Sequence, residues 1–506
     1  MKASSFRIQQ AIEQLQAYIQ STPHLTDIIT VLQNNGARVY IVGGIVRDAY
    51  LNVPLGEIDI EVHGIESMQL EAILQQFGTI SLVGAVFGVY KLHGIDWSLP
   101  RHDSRAAHDG RHPDGRHPQI QIDIHLDIRE AARRRDLTIN ALMYDMQSNV
   151  IHDFFGSFDD CDRRVLRSPD VQFFADDPLR FFRVMHFVGR FDAFVDAELF
   201  EMCKTMNISD ISRERVEQEL YKLFIYSRFP SRGFRFLHDC GRLQEWFVEI
   251  AALVNVKQLP QWHPEGSVFE HTMQTLDAAA RYFYQKNSEN KEMHGNDTID
   301  NNNKNFDQKS NNNKEHNNGI VLLLAALCHD CGKAVSTDEQ TLKSHGHDIA
   351  GVEISHVLLS RIVGSKKIQK MVLGLVRYHM MPLNFIKNNA SAKAYRVLSV
   401  NLARCQLTIK MLVLLAYADS AARNGVNTMP LDNCAQRVDI FAQRSRDAGV
   451  FDGPPQQLVQ GKDILGLYGE GPIIGEIVTY AYEQQIMTGC TDKDILLDMV
   501  EKKYKK

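Results

Sequence analysis

The 506-residue chain lacks a strong excess of charge of either sign: 56 Lys and Arg stand against 62 Asp and Glu, a net charge of -6. No global basic footprint therefore marks a nucleic-acid binder, although a sum over a long chain hides a local one, and charge decides nothing here. No apolar run reads as long enough to span a membrane. A secretory leader is also lacking, because "MKASSFRIQQAIEQLQAYIQ" has the pattern of an amphipathic helix and not of a signal core. With no leader, the eight scattered cysteines point away from a disulfide scaffold and toward a reducing, cytoplasmic setting without membrane association. What is present is length and 44% apolar composition, enough for two or three globular domains.

Short apolar or alternating runs separated by turn residues, "ARVYIVGG", "EIDIEV", "FGVYKL", "IDWSLP" and "IQIDIHL", predict a sheet with a few helices over residues 37 to about 150. From about 165 to 285 apolar residues recur at three-and-four spacing, as in "DPLRFFRVMHFVGRF" and "ISRERVEQELYKLF", and helices are expected. Residues 286–319 are Asn-rich and nearly free of apolar side chains, which predicts a disordered surface insertion. Helical pattern resumes at 320 and runs to the basic end "EKKYKK". The chain thus reads as α+β, divided into 1–150, 151–260, 261–430 with the insertion at 286–319, and 431–506.

"GEIDIEV" sets Glu57, Asp59 and Glu61 at alternate positions of an apolar run. In a regular strand they share one face and repel, so either the face is a solvated edge or a divalent cation compensates them. Upstream, "VGGIVRD" ends a strand in Gly43-Gly44, which lets backbone N–H groups approach a phosphate, and Arg47 follows. Glycines, an arginine and paired acids in this order suit metal-assisted phosphoryl or nucleotidyl transfer.

With "RRRDLTINAL" (133–142), "DFFGSFDDCDRRVLRSP" (153–169), "FADDPLRFFR" (174–183) and "ISRERVEQEL" (211–220) in the same order, the chain resembles the tRNA nucleotidyltransferase / poly(A) polymerase family in its bacterial class. That resemblance implies a polymerase-β-like sheet domain followed by all-α RNA-binding and HD helical domains. It also implies template-independent addition of CCA from CTP and ATP to tRNA, with magnesium held by Glu57 and Asp59 as the catalytic acids. Glu57 stands where the family has aspartate, and Asp59 with Glu61 is the alternative register. Asp96 in "GIDWSLPR" is a candidate third carboxylate or a turn aspartate. Gly44, Arg47, Arg135 and Arg183 fall on nucleotide-binding positions, and Asp177 and Arg180 on the pair that reads the base edge. Asp136 and Asn140 are expected to brace the site. His186 occupies a position where relatives often carry arginine. The same motifs serve poly(A) polymerases and A-adding or C-adding enzymes, so the product stays open.

In the C-terminal half, "HPEGSVFEHTM" places His271 at a helix start and "VLLLAALCHDCGK" brings His329 and Asp330 from an apolar helix. His347, His379 and Asp419 follow. The order resembles the HD phosphohydrolase family over residues 262 to 425, which implies a metal on His271, His329, Asp330 and Asp419 and leaves His347 and His379 for a second metal or for phosphate. Imidazoles with carboxylates favour manganese, nickel, cobalt or iron. Hydrolysis of phosphoesters such as 2',3'-cyclic phosphate ends is the implied activity; an HD hydrolase with a weakened head and a non-catalytic RNA-binding arm are the alternatives. Cys328 and Cys331 flank the pair and are expected to pack.

Overall fold

In the computed structural model, residues 2–83, 88–104, 119–293, 312–423 and 433–504 are described. The chain divides into two compact units, Met1–Ser212 with Asn290–Asn313 and Arg213–Glu289 with Lys314–Lys506.

The first unit begins with helix α1 (Lys2–Ser21) and is built on β1 (Arg38–Val42), β2 (Asp59–His63), β3 (Ser81–Val83), β4 (Val89–Leu92), β5 (Ile95–Ser98), β8 (Met143–Asp145) and β9 (Val150–His152). The seven strands lie in the order β3-β4-β5-β2-β1-β8-β9, while β6 (Arg101–Ser104) and β7 (Gln119–Ile122) pair as a separate ribbon. Strand β2 runs parallel to β5 and antiparallel to β1. Val39 through Val42 are buried in succession, as expected of a central strand covered on both faces. On one face Tyr40, Val42 and Met143 pack on Ala132 and Ala141. Ala132 belongs to helix α3 (Ile128–Arg133), whose first turn is capped by Asp127 accepting from the Arg129 N–H at 2.8 Å. Between β1 and β2 lies α2 (Gly44–Tyr50), and α4 (Leu179–Phe191) buries Phe181, Phe182, Val184, Met185 and Phe187. Sheet and capped helix thus fix the Gly43–Gly44 turn, the β2 acids and Arg133–Arg135 relative to one another.

The second unit is helical. It contains α5 (Ser231–Asp239), all but the ends of α6 (Val268–Met293) and α7 (Asn312–Cys328), and α8 (His347–Ile362), α9 (Lys366–Tyr378) and α10 (Ile409–Ala421). Every residue from Ile320 to Cys328 is buried, so α7 forms the centre of this unit. A Cβ on Gly332, just past α7, would stand 2.0 Å from the His347 carbonyl oxygen. Only glycine permits that approach, which brings the His329-Asp330 turn against the start of α8. Toward the C-terminus, Val459, Ile464, Ile477, Ala481, Leu496 and Val500 form a small core of their own.

Two expectations are corrected. Residues 286–293 and 312–319 of the Asn-rich stretch are helical, as the ends of α6 and α7; residues 294–311 lie outside the described residues. Residues 317–336 are long and apolar enough to cross a membrane, contrary to the reading that no run reaches that length. The reason is burial: 83% of that window is packed inside the protein, and a central helix passes the same compositional test as a membrane span.

Candidate functional site

Exposure falls along the acidic stretch. Glu57 is exposed in the loop before β2, Asp59 at the strand's start is half-buried, and Glu61 is 7% exposed. Regular strand geometry therefore holds for Asp59 and Glu61 but not for Glu57. Glu61 Oε1 lies 2.9 Å from His63 Nε2, and its Oε2 accepts from Arg135 Nη2 at 2.9 Å. Burial pushes the Glu61 carboxyl up, but the His63 bond and the Arg135 charge outweigh it and hold the group below its ordinary value.

Asp59 is in register with Val42 of β1 on one side and with Asp96 of parallel β5 on the other. Asp96 lies 3.2 Å from Lys91 Nζ. Gly43 has φ of 79°, a region that side chains disfavour, and a Cβ there would meet Asp59 Oδ2 at 3.8 Å and Arg135 Nη1 at 4.0 Å. Turn, carboxylate and guanidinium thus surround a cradle that a side chain would fill. The carboxylate donors at its edge fit a hard cation such as magnesium, and the arginine fits phosphate.

Behind this cradle runs a buried polar line. Arg47, 3% exposed, donates to Asp48 Oδ1 at 2.8 Å and to Asn140 Oδ1. Asn140 Nδ2 donates to Asp136 Oδ1 at 3.0 Å, and Asp136 Oδ2 accepts from Arg183 Nε at 2.6 Å. The Phe187 and Phe191 rings, stacked 5.7 Å apart, pack over the Arg47 guanidinium. Burial raises the Asp136 carboxyl, but Arg183, Asn140 and Arg180 together bring it down to about 2. Arg47 consequently lies under Gly44 and not at the surface, and Asp136 and Asn140 connect it to α4. At the start of α4, Asp177 Oδ1 accepts from the Leu179 N–H at 3.1 Å, and Arg180 Nη2 donates to the Arg134 carbonyl at 2.8 Å. His186 is buried against Phe187.

The second unit gathers all six residues singled out there. His271, His329 and Asp419 form one potential metal-binding group, and Asp330, His347 and His379 another. His271 Nε2 lies 3.0 Å from Asp419 Oδ1. Asp330 faces both groups: Oδ2 is 3.3 Å from His329 Nε2, and Oδ1 is 3.5 Å from His347 Nε2 and 3.8 Å from His379 Nε2. The Nδ1 atoms of His329, His347 and His379 lie 2.7–2.8 Å from the carbonyls of Ala326, Ser344 and Val376. A carbonyl only accepts, so each Nδ1 carries a proton and each ring turns its Nε2 inward.

The inward-facing atoms call for a cation. His347 and His379 present their Nε2 atoms to each other at 3.1 Å, and among the described residues His329 Nε2 is buried without a hydrogen bond. Burial and the neighbouring His329 lower the His379 imidazole to about 4, so it is neutral near pH 7. The clustered imidazole nitrogens and mixed imidazole–carboxylate donors fit a divalent transition metal. Burial opposes ionisation of Asp330 and Asp419, yet Lys333 and His329 hold the first, and Arg423 and His271 the second, well below the usual carboxylate range.

Residues 39–167 match the family described as the Poly A polymerase head domain, and residues 268–424 match the HD domain. The chain carries a poly(A) polymerase head domain and an HD domain. A Thermotoga maritima CCA-adding enzyme solved with tRNA shares the fold with a TM-score of 0.53 at 16% identity, over 96% of this chain and 97% of that one. An apo CCA-adding enzyme matches with a TM-score of 0.57 at 17% identity, over 97% and 96%. A CCA-adding enzyme in complex with CTP gives 0.54 at 16%, over 97% and 96%. Likeness at these identities is one of fold.

Within the HD domain, two residues were not singled out from sequence. Lys333 Nζ reaches Asp330 Oδ2 at 2.7 Å and Gln258 Oε1 at 2.8 Å. Glu265 Oε1 lies 2.8 Å from both His263 Nδ1 and His271 Nδ1. Burial raises the Glu265 carboxyl, but the two histidines bring it down to about 2. The signals were present: Lys333 is three residues past Asp330 in "HDCGK", and Glu265 stands in "HPEG" ahead of His271.

Proposed function

We propose that this protein adds CCA to the 3' ends of tRNA from CTP and ATP, and that its HD domain hydrolyses phosphoesters such as 2',3'-cyclic phosphate ends. The observation that carries the first part is the cradle of Gly43, Asp59 and Arg135, with Asp96 one strand away from Asp59. Fold likeness to CCA-adding enzymes solved with tRNA, CTP and ATP supports the choice of substrates.

In this reading Glu57 and Asp59 hold magnesium, because Glu61 is already committed to Arg135 and His63. Magnesium, when bound, supplies the Lewis acid for attack of an RNA 3'-hydroxyl on the α-phosphate. Glu61 holds the Arg135 guanidinium beside Asp59, where its planar fork meets triphosphate oxygens. Gly43 and Gly44 leave room for a phosphate against the backbone. Asp177 and Arg180, three residues apart where α4 begins, are the pair proposed to read a base edge, with Arg180 anchored through the Phe173 and Arg134 carbonyls, and Arg183 is oriented by Asp136. The domain boundaries we favour are a head to about 150, a helical nucleotide-selecting and RNA-binding region to 260, the HD domain to 430 and a helical extension beyond. A cytoplasmic location suits this substrate.

In the HD domain, His271, His329, Asp330 and Asp419 would hold one divalent transition metal, and His347 and His379, with Asp330, a second. Such a centre supplies an activated water for phosphoester hydrolysis. Asp330, with an oxygen toward each group, keeps the two halves of the site in register. Nucleotide addition to tRNA transcripts ending before CCA, after C and after CC tests the first activity. Opening of 2',3'-cyclic ends to a terminal phosphomonoester in the presence of cobalt or nickel tests the second.

A further inference from the structure

Four imidazoles converge on the HD centre, and one is held differently from the rest. His329, His347 and His379 each rest their Nδ1 proton on the neutral carbonyl of the residue three positions earlier. His271 does not use a carbonyl in this way. Its Nδ1 lies 2.8 Å from the carboxylate of Glu265, whose side chain is fully buried and comes from the loop before α6. The same oxygen lies 2.8 Å from His263 Nδ1, which fixes the carboxylate from its other side.

We infer that Glu265 is a positioning residue that makes the His271, His329 and Asp419 group a tighter cation site than the Asp330, His347 and His379 group. The inference rests on the proposal that these side chains bind metal. A carboxylate 2.8 Å from Nδ1, at ion-pair distance though not aligned as a hydrogen bond, favours the proton on that nitrogen and leaves the Nε2 lone pair for a metal, making His271 a stronger ligand than an imidazole resting on a carbonyl. Asp419, 3.0 Å from that Nε2, adds its charge to the same group. The Asp330, His347 and His379 group has one carboxylate, which it shares, and two imidazoles on neutral acceptors. Glu265 touches neither of the latter rings among its described contacts. Its effect is therefore confined to one half of the centre.

Titration of the metal-free full-length protein with Co²⁺, followed by visible absorption and calorimetry, tests this. Two classes of site are expected. Glu265→Gln, which keeps the size and an acceptor oxygen but removes the charge, should weaken the tighter class about 10- to 100-fold and leave the weaker class unchanged. Glu265→Asp should weaken it less than Glu265→Gln. His379→Ala should remove the weaker class and spare the tighter one. An unchanged tight class in Glu265→Gln, or its loss in His379→Ala, overturns the inference. Should Glu265→Gln fail to fold, the remaining pair of variants decides: a tight class that survives His379→Ala and vanishes in His329→Ala upholds the asymmetry, and the reverse overturns it. Wild-type protein that binds no Co²⁺ refutes both the metal centre and the inference, whereas protein that binds two Co²⁺ yet hydrolyses no phosphoester refutes the hydrolase reading alone.

Discussion

Asp59 and Glu61 are two residues apart on one strand, and their surroundings divide their tasks. Glu61 has a guanidinium and an imidazole in hydrogen-bond range, whereas Asp59 borders the cradle formed with Gly43. Asp59→Ala should lower nucleotide addition by at least about a thousandfold, the scale expected when a metal's several kcal/mol of charge stabilisation is lost. Glu61→Gln should retain more activity but weaken nucleotide binding, since Arg135 loses its charged partner; KM for CTP should rise more than kcat falls. If Glu61→Gln were as inactive as Asp59→Ala, the acidic pair would be Asp59 and Glu61. The alternation of acids was legible in the sequence because the period of a strand is two. The pairing with Arg135 was not, because it joins positions 74 residues apart through the packing of α3 on the sheet. In the HD domain the candidate ligands could be picked out along the chain, but which nitrogen of each histidine faces inward depends on carbonyls that only a folded helix places.

At the scale of elements, helix placement is set by a few close approaches. Gly332 lets the turn after α7 meet the start of α8, and Gly332→Ala would force a methyl group to within 2.0 Å of the His347 carbonyl oxygen. That variant should lose about 3 kcal/mol or more of stability and weaken Co²⁺ binding, measured by urea denaturation and metal titration. Asp277 of α6 accepts from the Ser231 N–H at 2.9 Å and the Ser231 hydroxyl at 2.7 Å, capping α5. Burial, only partly offset by Ser231 and nearby arginines, raises its carboxyl to about 6. A raised folded-state value means that this group's contribution to stability is fully present below about pH 4 and is lost as pH rises through 6. Asp277→Asn should therefore be more stable than wild type at pH 8, by about 2–3 kcal/mol at most, with the gap closing toward pH 4. A pH-independent difference would contradict this account. Strand and helix types followed from apolar periodicity, as in "ARVYIVGG" and "DPLRFFRVMHFVGRF". The helical flanks of the Asn-rich stretch did not, because the apolar halves of α6 and α7 carry those helices on into a polar sequence.

For the whole molecule, the proposed function puts two separable phosphate chemistries in one chain, a nucleotidyl transfer in the head and a hydrolysis in the HD domain. The two sets of residues belong to different compact units and share no side chain. Asp330→Ala should abolish phosphoester hydrolysis and leave nucleotide addition within about twofold, while Asp59→Ala should do the converse. The most direct measurement supplies purified protein and magnesium with tRNA transcripts ending before CCA, after C and after CC, offers CTP and ATP separately and together, and reads products at nucleotide resolution. Ordered completion to CCA from all three primers, lost in Asp59→Ala and kept in Asp330→Ala, is the predicted result. No addition from any primer, or a long A-tail in place of a single terminal A, would contradict it.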